Sequence, residues 1–284
     1  MLSPRFWLLL IGLGFGQLVS GARGASEEGA EDGGWTPLFN GKDLTGWHVV
    51  IRNGRSEDPN HLVQVHDGVI HMYKDAAEGS AQPNGYIVTE KEFSNYHLRL
   101  EYRWGTKRFA PRANGRRDAG VLYHITGKDG VWPRSIECQI QENDVGDIYT
   151  VNTRVTAFVD FHTTNLVSIV TTNQAGIART NLASRPVYQP QDKGGVPFVQ
   201  GVASGIRRVI RNPLNEHEGW NTVEVIARGD EVTYVINGKV NNSASHLEEM
   251  VDNKWVPLKQ GKIGLQLEFA EVEYRKVEIR ELKE

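Results

Sequence analysis

The run His97-Leu98-Arg99-Leu100-Glu101-Tyr102-Arg103-Trp104 alternates between apolar and charged side chains. Successive side chains of a strand point to opposite faces, so Leu98, Leu100 and Tyr102 share one face while Arg99, Glu101 and Arg103 share the other. Period two predicts a strand with one buried side. Working outward, the same reading sets Val121, Tyr123 and Ile125 against Leu122 and His124, and Ile136, Cys138 and Ile140 against Glu137, Gln139 and Gln141. It sets Thr156, Phe158, Asp160 and His162 against Val155, Ala157, Val159 and Phe161, and Leu265, Leu267 and Phe269 against Gln266 and Glu268. Further strands are predicted around residues 62–65, 69–73, 86–89, 222–228, 231–236 and 272–281. Gly229-Asp230 and Asn237-Gly238 supply hairpin-turn chemistry beside them. No long amphipathic helix is visible, and residues 246–251 read as a single helical turn. Many short strands between turn signals predict an all-β sandwich or barrel. Residues 165–215 are rich in Gly, Pro and Asn with few strand signals. A loop of that length in a compact domain is usually functional, so it is expected to wall or lid a site.

Composition bounds the partners. The 284 residues carry 32 Lys and Arg against 35 Asp and Glu, a net charge of -3. Nucleic-acid binding needs a basic surplus, which is absent here. The local basic cluster Lys107-Arg108, Arg112 and Arg116-Arg117 lies among Pro, Asn and Gly and reads as a solvated loop. At the N-terminus, Arg5 precedes the apolar run Phe6-Trp7-Leu8-Leu9-Leu10-Ile11, and small residues follow Val19. That pattern predicts a secretory signal peptide over 1–24, a flexible acidic leader over 25–34 and one domain over 35–284. The mature chain is expected in the periplasm or outside the cell, without stable membrane insertion. Cys138 is the only cysteine, so no intrachain disulfide can form, and its place between Ile136 and Ile140 predicts an inert buried thiol.

The second faces of these strands favour Glu, Gln, Arg and His, with Tyr123, Trp132 and Tyr149 nearby. A merely wet strand face favours Thr, Lys and Ser, whereas planar bidentate groups beside aromatic plates suit sugar hydroxyls and ring faces. Glu101, Gln139, Gln141, Asp160 and Gln266 are therefore substrate-binding candidates together with the three aromatics.

Several blocks, taken in order, resemble the 3-keto-disaccharide hydrolase domain family of exported bacterial proteins. They are Trp35-Thr-Pro-Leu-Phe-Asn40-Gly41-Lys-Asp-Leu-Thr-Gly46-Trp47, Gly85-Tyr86-Ile87-Val88-Thr89, Asp118-Ala119-Gly120-Val121, Glu137-Cys138-Gln139, Gly146-Asp147-Ile148-Tyr149, Gly219-Trp220-Asn221 and Gly261-Lys-Ile-Gly264-Leu265-Gln266. Asp118-Ala119 stands where the family usually has Asn-Ser, and Tyr274-Arg275-Lys276 replaces Phe-Arg-Asn. The resemblance implies a concanavalin A-like jelly roll of two antiparallel sheets acting on glycosides already oxidised to a ketone at C3. A C3 ketone acidifies the hydrogen at C2; its removal leaves an enolate that expels the C1 substituent, and water then adds back. Such chemistry needs a base, a group or cation at the enolate oxygen and an acid at the glycosidic oxygen. The candidates are Glu137 or His124 as base, Arg103 or a divalent metal ion at the enolate, and His162 or Glu268 as acid.

Two alternatives belong to other classes. Glu137 and Glu142 keep the spacing of the carboxylate pair in laminarinase-like retaining hydrolases, although Gln139 replaces the intervening Asp and cannot titrate. A non-catalytic glycan-binding module is the other, because this fold also serves lectins. No short-spaced zinc motif occurs; His61, His66 and His71 read as surface or loop residues. Glu142-Asn143-Asp144 with Asp147 could offer oxygen ligands but reads as a polar turn. With no dinucleotide fingerprint, phosphate loop or nucleophile elbow, oxidation of the sugar is expected from a separate sugar 3-dehydrogenase.

Overall fold

Alternation along the chain becomes two antiparallel sheets packed face to face. The computed structural model describes residues 34–51, 58, 60–172 and 178–283, and these fall in one compact unit. The expected signal peptide and leader, up to residue 33, lie outside the described residues. The larger sheet runs in order through Ala178–Tyr188, Thr153–Thr172, Lys239–Val251, Glu231–Ile236, Asn221–Arg228, Tyr96–Arg108, Ala270–Glu281, Val69–Met72 and Val63–His66. The smaller runs through Ile206–Val209, Ile148–Val151, Arg134–Gln139, Gly120–Thr126, Gln260–Leu267, Gly85–Thr89 and Trp47–Ile51. This is the concanavalin A-like jelly-roll sandwich.

The core lies between the sheets. Leu98, Leu100 and Tyr102 from the larger sheet meet Val121, Ile136, Cys138, Ile148 and Leu265 from the smaller, all buried in one apolar cluster. Tyr234 and Tyr123 join the sheets, with the Tyr234 hydroxyl donating to that of Tyr123 at 2.8 Å. Burial pushes the Cys138 thiol well above its ordinary pKa, so the sole cysteine is a packing residue.

The outward face of the larger sheet is polar and satisfied by its own cross-strand pairs. Arg99 bonds Glu278 at 2.8 Å, Glu101 accepts from Arg275 at 2.6 Å and Lys276 at 2.9 Å, and Arg103 pairs with Glu273. Trp220 lies under both Arg103 and Arg275, 4.7 and 3.9 Å from the guanidinium carbons. Pairs of this kind stabilise an exposed sheet surface.

Two expectations are corrected. Residues 165–215 are not a long loop: Thr153–Thr172 continues through them and pairs with Ala178–Tyr188, followed by Val196–Gly201 and Ile206–Val209. Cross-strand partners supply the ladder that local composition does not announce. The helical turn expected at 246–251 is instead part of Lys239–Val251, which folds back on Lys254–Pro257 through Asp252-Asn253, both at positive φ.

Candidate active site

One end of the smaller sheet, on the face turned away from the core, gathers acids and amides. The strand Gly120–Thr126 places Gly120 opposite Gln139 and Leu122 opposite Glu137, while Asp118 bridges to Glu268 at the end of the neighbouring strand. Parity then puts Asp118, Gly120, Glu137, Gln139, Gln266 and Glu268 on one face. From the loop before this strand, Arg112 inserts its Nη1 between the acids, bonding Asp118 and, at 2.8 Å, Glu268. Gln141 donates to Asp118 at 2.8 Å.

Gly120 lets the cluster close. A methyl group there would overlap Glu137 Oε1 and lie 2.7 Å from Gln266 Oε1, so the two side chains converge over the glycine. Despite that crowding, several polar atoms have no partner. Glu137 is 3 % exposed and makes no hydrogen bond among the described residues. Both ends of the Gln266 amide and Asp118 Oδ1 are buried and unpaired. Leaving a buried polar group unsatisfied costs about 1–3 kcal/mol, so the Gln266 amide and Asp118 Oδ1 concentrate a penalty at one place. Burial, reinforced by the charges of Glu268 and Asp118, raises the Glu137 pKa well above the carboxylate range. Burial and the nearby Asp118 charge push Glu268 up to about 8, against the pull of Arg112. Asp118 is also raised by burial but drawn back by Arg112 and Gln141, the direct partners of its carboxylate.

A second charged ring borders this cluster. Asp147, fully buried, pairs with Arg208 and accepts from the Arg211 backbone N–H at 2.8 Å. Asp144 pairs with Arg116 at 2.6 Å and Arg208 at 2.9 Å. The Arg208 guanidinium sits 5.5 Å from the Tyr149 ring, and Tyr149 faces Glu137 across the ladder. Arg208 and Arg211 come from the stretch expected to be a loop, so part of it does stand beside the site.

The model of the 3-keto-alpha-glucoside-1,2-lyase-like domain matches residues 34–280. The chain belongs to that family. Among solved structures it is similar to a candidate glycosyl hydrolase from Parabacteroides distasonis, at 19% identity over 89% of this chain and 96% of that one, with a TM-score of 0.50. A second candidate glycosyl hydrolase from that organism matches at 17% identity over 87% and 99% of the two chains, TM-score 0.47. A carbohydrate-binding module of Bacillus subtilis matches at 10% over 83% and 95%, TM-score 0.43. No curated protein matches the chain.

In this member of the 3-keto-alpha-glucoside-1,2-lyase-like family the sequence-predicted residues divide sharply. Glu137, Glu268, Gln139, Gln141 and Gln266 converge, with Tyr149 beside them. Arg103 and Glu101 lie on the outward face of the other sheet, engaged as described above; parity shows that two residues share a face but not which sheet carries it. His124 does not share the face of Glu137. A register shift between Tyr123 and Thr126, with His124 at φ 48°, turns its ring inward to pack edge-on against Tyr96 and Tyr123. Neither ring nitrogen makes a well-formed hydrogen bond, and burial pushes the pKa down to about 4 against an upward pull from the nearby Leu258 backbone. Tyr123 points into the core. Asp160 and His162 sit at the irregularity in the larger sheet between Asp160 and Thr164, where the His162 N–H donates to Asp160 at 2.8 Å. Trp132 is exposed beyond the Thr126 and Arg134 ends of its two strands, opposite the end that holds the acids.

Sequence reasoning undervalued two residues. Asp118 was visible only as a departure from a family motif, although its parity with Gly120 places it on the site face. Arg112 belongs to the basic cluster read as solvated, yet Arg112 bonds Asp118 and Glu268, Arg116 bonds Asp144, and Arg108 and Arg117 both bond Glu142. Charges in a loop find partners on elements distant in sequence, which local composition cannot show. His71 likewise is buried, bonded to Glu271 at 3.0 Å and to His66 at 2.9 Å.

The donor set does not suit a divalent cation. Among the described residues no group of three or more His, Cys, Asp and Glu side chains is arranged to hold a metal. The guanidinium of Arg112 fills the space between Asp118 and Glu268, and the carboxylates of Asp144 and Asp147 are committed to arginines.

Proposed function

We propose that this protein cleaves 3-keto-glycosides by elimination and rehydration, with net hydrolysis, at the Asp118–Glu137–Glu268 cluster. The observation that carries the reading is a buried carboxyl without a partner, Glu137, beside a second carboxyl whose pKa is about 8. Glu137 takes the C2 proton; the electron pair of the C2–H bond is delocalised onto the C3 oxygen as an enolate. Collapse of the enolate restores the ketone, forms a C1–C2 double bond and breaks the bond from C1 to the leaving oxygen. Glu268 supplies the proton to that oxygen. Water then adds at C1, giving its proton to Glu268, and Glu137 returns its proton to C2, so the enzyme ends as it began. Asp118 and Arg112 hold Glu268 in place and set its charge.

A retaining hydrolysis through Glu137 and Glu142 has no support from the geometry. Glu142 is bonded by Arg117 and Arg108, and the Arg117 hydrogen bond foremost holds its pKa down to about 2, which leaves it unfit to donate a proton. On our reading the ketone is installed by a separate sugar 3-dehydrogenase, and the apolar N-terminal run supports action outside the cytoplasm.

The test is incubation of the mature domain with a chromogenic 3-keto-glucoside beside the unoxidised glucoside. Release from the ketone alone supports the proposal. Release from the plain glucoside would replace it with ordinary hydrolysis, and binding without release would leave a glycan-binding sandwich.

A further inference from the structure

Resting on that reading, we infer that Gln266 is the catalytic donor to the C3 oxygen, and so the residue that selects a ketosugar over the parent glycoside. With Arg103 on the other sheet and Arg112 occupied by two carboxylates, the enolate oxygen needs another partner. Gln266 is 1 % exposed and neither end of its amide is bonded. Its oxygen end faces Glu137 across Gly120, and its Nε2 carries two N–H groups with no acceptor in reach. Its own backbone carbonyl is fixed by the Tyr274 hydroxyl at 3.0 Å, and the strand is locked between Gly85–Thr89 and Gly120–Thr126. The amide is thus presented from a fixed strand, one strand removed from that of the base and converging with it over Gly120.

A donor that shares a face with the base and meets it over Gly120 suits the geometry of an α-proton abstraction, because C2 and the C3 oxygen are separated by a single carbon. As C2–H breaks, charge grows on that oxygen and the N–H bond to it strengthens. A preorganised donor in a dry site stabilises the transition state in this way. A C3 hydroxyl in the same place develops no charge, so the interaction gives no rate advantage to the unoxidised sugar. The amide stays neutral across the pH range, leaving the proton inventory to Glu137 and Glu268.

Two near-isosteric variants test this, with the wild type measured first on the 3-keto-glucoside. In Gln266→Met, kcat is expected to fall about 10²–10³-fold, the usual effect of removing one such donor. Its C2–H exchange with solvent deuterium should slow in parallel, while inhibition by the unoxidised glucoside stays within about threefold. Because the methionine replaces an unsatisfied buried amide, the melting temperature should hold or rise. Gln266→Glu, which presents an acceptor and added negative charge, should be slower still. A wild type inert toward the ketone would sink the reading of the site itself. An active wild type with Gln266→Met within threefold in kcat overturns the inference alone, as does a kcat loss accompanied by a clear drop in melting temperature in both variants, which would make Gln266 a structural residue.

Discussion

At the residue scale, environment assigns roles to three carboxyls of similar intrinsic acidity. Asp118 is gripped by Arg112 and Gln141, which draw its burial-raised pKa back toward the ionised form. Glu137 has no such grip and is shielded from water, so its ionised form is a stronger base than an exposed glutamate. Glu137→Gln should lower kcat on a 3-keto-glucoside by about 10²–10⁴-fold, the range for loss of a general base, with the circular dichroism spectrum unchanged. Retained turnover would remove Glu137 from the chemistry. The pH profile follows from the raised pKa values. The productive form carries one proton between Glu137 and Glu268, so the acidic limb of kcat/KM should lie well above the ordinary glutamate value of about 4.3. The alkaline limb, marking loss of the proton that the pair shares, should fall at about pH 8 or above. Glu268→Gln should lower kcat and erase that alkaline limb; a profile whose acidic limb sits near pH 4 would mean that the base is an ordinary exposed carboxylate.

The same scale separates His124 from the chemistry. Its ring is enclosed by Tyr96 and Tyr123, and its nitrogens reach no acid of the cluster. His124→Asn, chosen because asparagine tolerates positive φ, should lose about 1–3 kcal/mol of stability through the cavity it leaves. Its kcat should stay within about threefold of wild type. A large loss of kcat with the melting temperature intact would return His124 to the mechanism.

At the element scale, irregularities in pairing decide which side chains reach the site. The shift between Tyr123 and Thr126 has a counterpart between Lys262 and Gly264 on the adjacent strand. There Gly261 approaches so closely that an added methyl would lie 2.7 Å from both the His124 Cα and the Ile125 carbonyl oxygen. Backbone cannot yield as a side-chain tip can, so Gly261→Ala should cost about 1–3 kcal/mol, read as a lower denaturant midpoint with an unchanged slope. An unaltered midpoint would show that the bulge accommodates a side chain. This is also where legibility in the sequence ends. Period-two alternation sufficed for the strands around Leu98, Ile136 and Leu265, and it placed Glu137 with Gln139, and Gln266 with Glu268, because those segments run without interruption. His124 was misplaced because one bulged residue inverts every later parity assignment. Arg103 was misplaced because alternation carries no information about which sheet a strand joins. Arg112 was overlooked because loop charges reveal their partners only in three dimensions.

At the scale of the whole molecule, the site is a thermodynamic weakness retained in a stable sandwich. The two sheets meet through a large core that reaches from Leu98 to Leu265, and that core offsets the buried, unpaired groups at one end of the smaller sheet. Linkage gives the sign of the effect. Glu268 has a folded-state pKa near 8, above the roughly 4.3 of an unfolded glutamate, so the folded protein binds a proton more tightly than the unfolded chain. Its contribution is fully present below the unfolded pKa and is lost as pH rises through the folded one, at about 1.4 kcal/mol for each unit between them. Glu137, raised by the same burial, acts in the same direction. Melting temperature should therefore fall between about pH 7 and pH 9. That window lies above the range in which His124, held down to about 4 by burial, acts in the opposite direction, and well-paired surface carboxylates contribute almost no slope there because they stay ionised in both states. In Glu268→Gln the fall should be shallower, and the double variant with Glu137→Gln should be nearly flat and more stable than wild type at pH 9. A wild-type slope that survives both substitutions would assign the pH dependence to other groups and show that the cluster is solvated well enough to ionise without penalty.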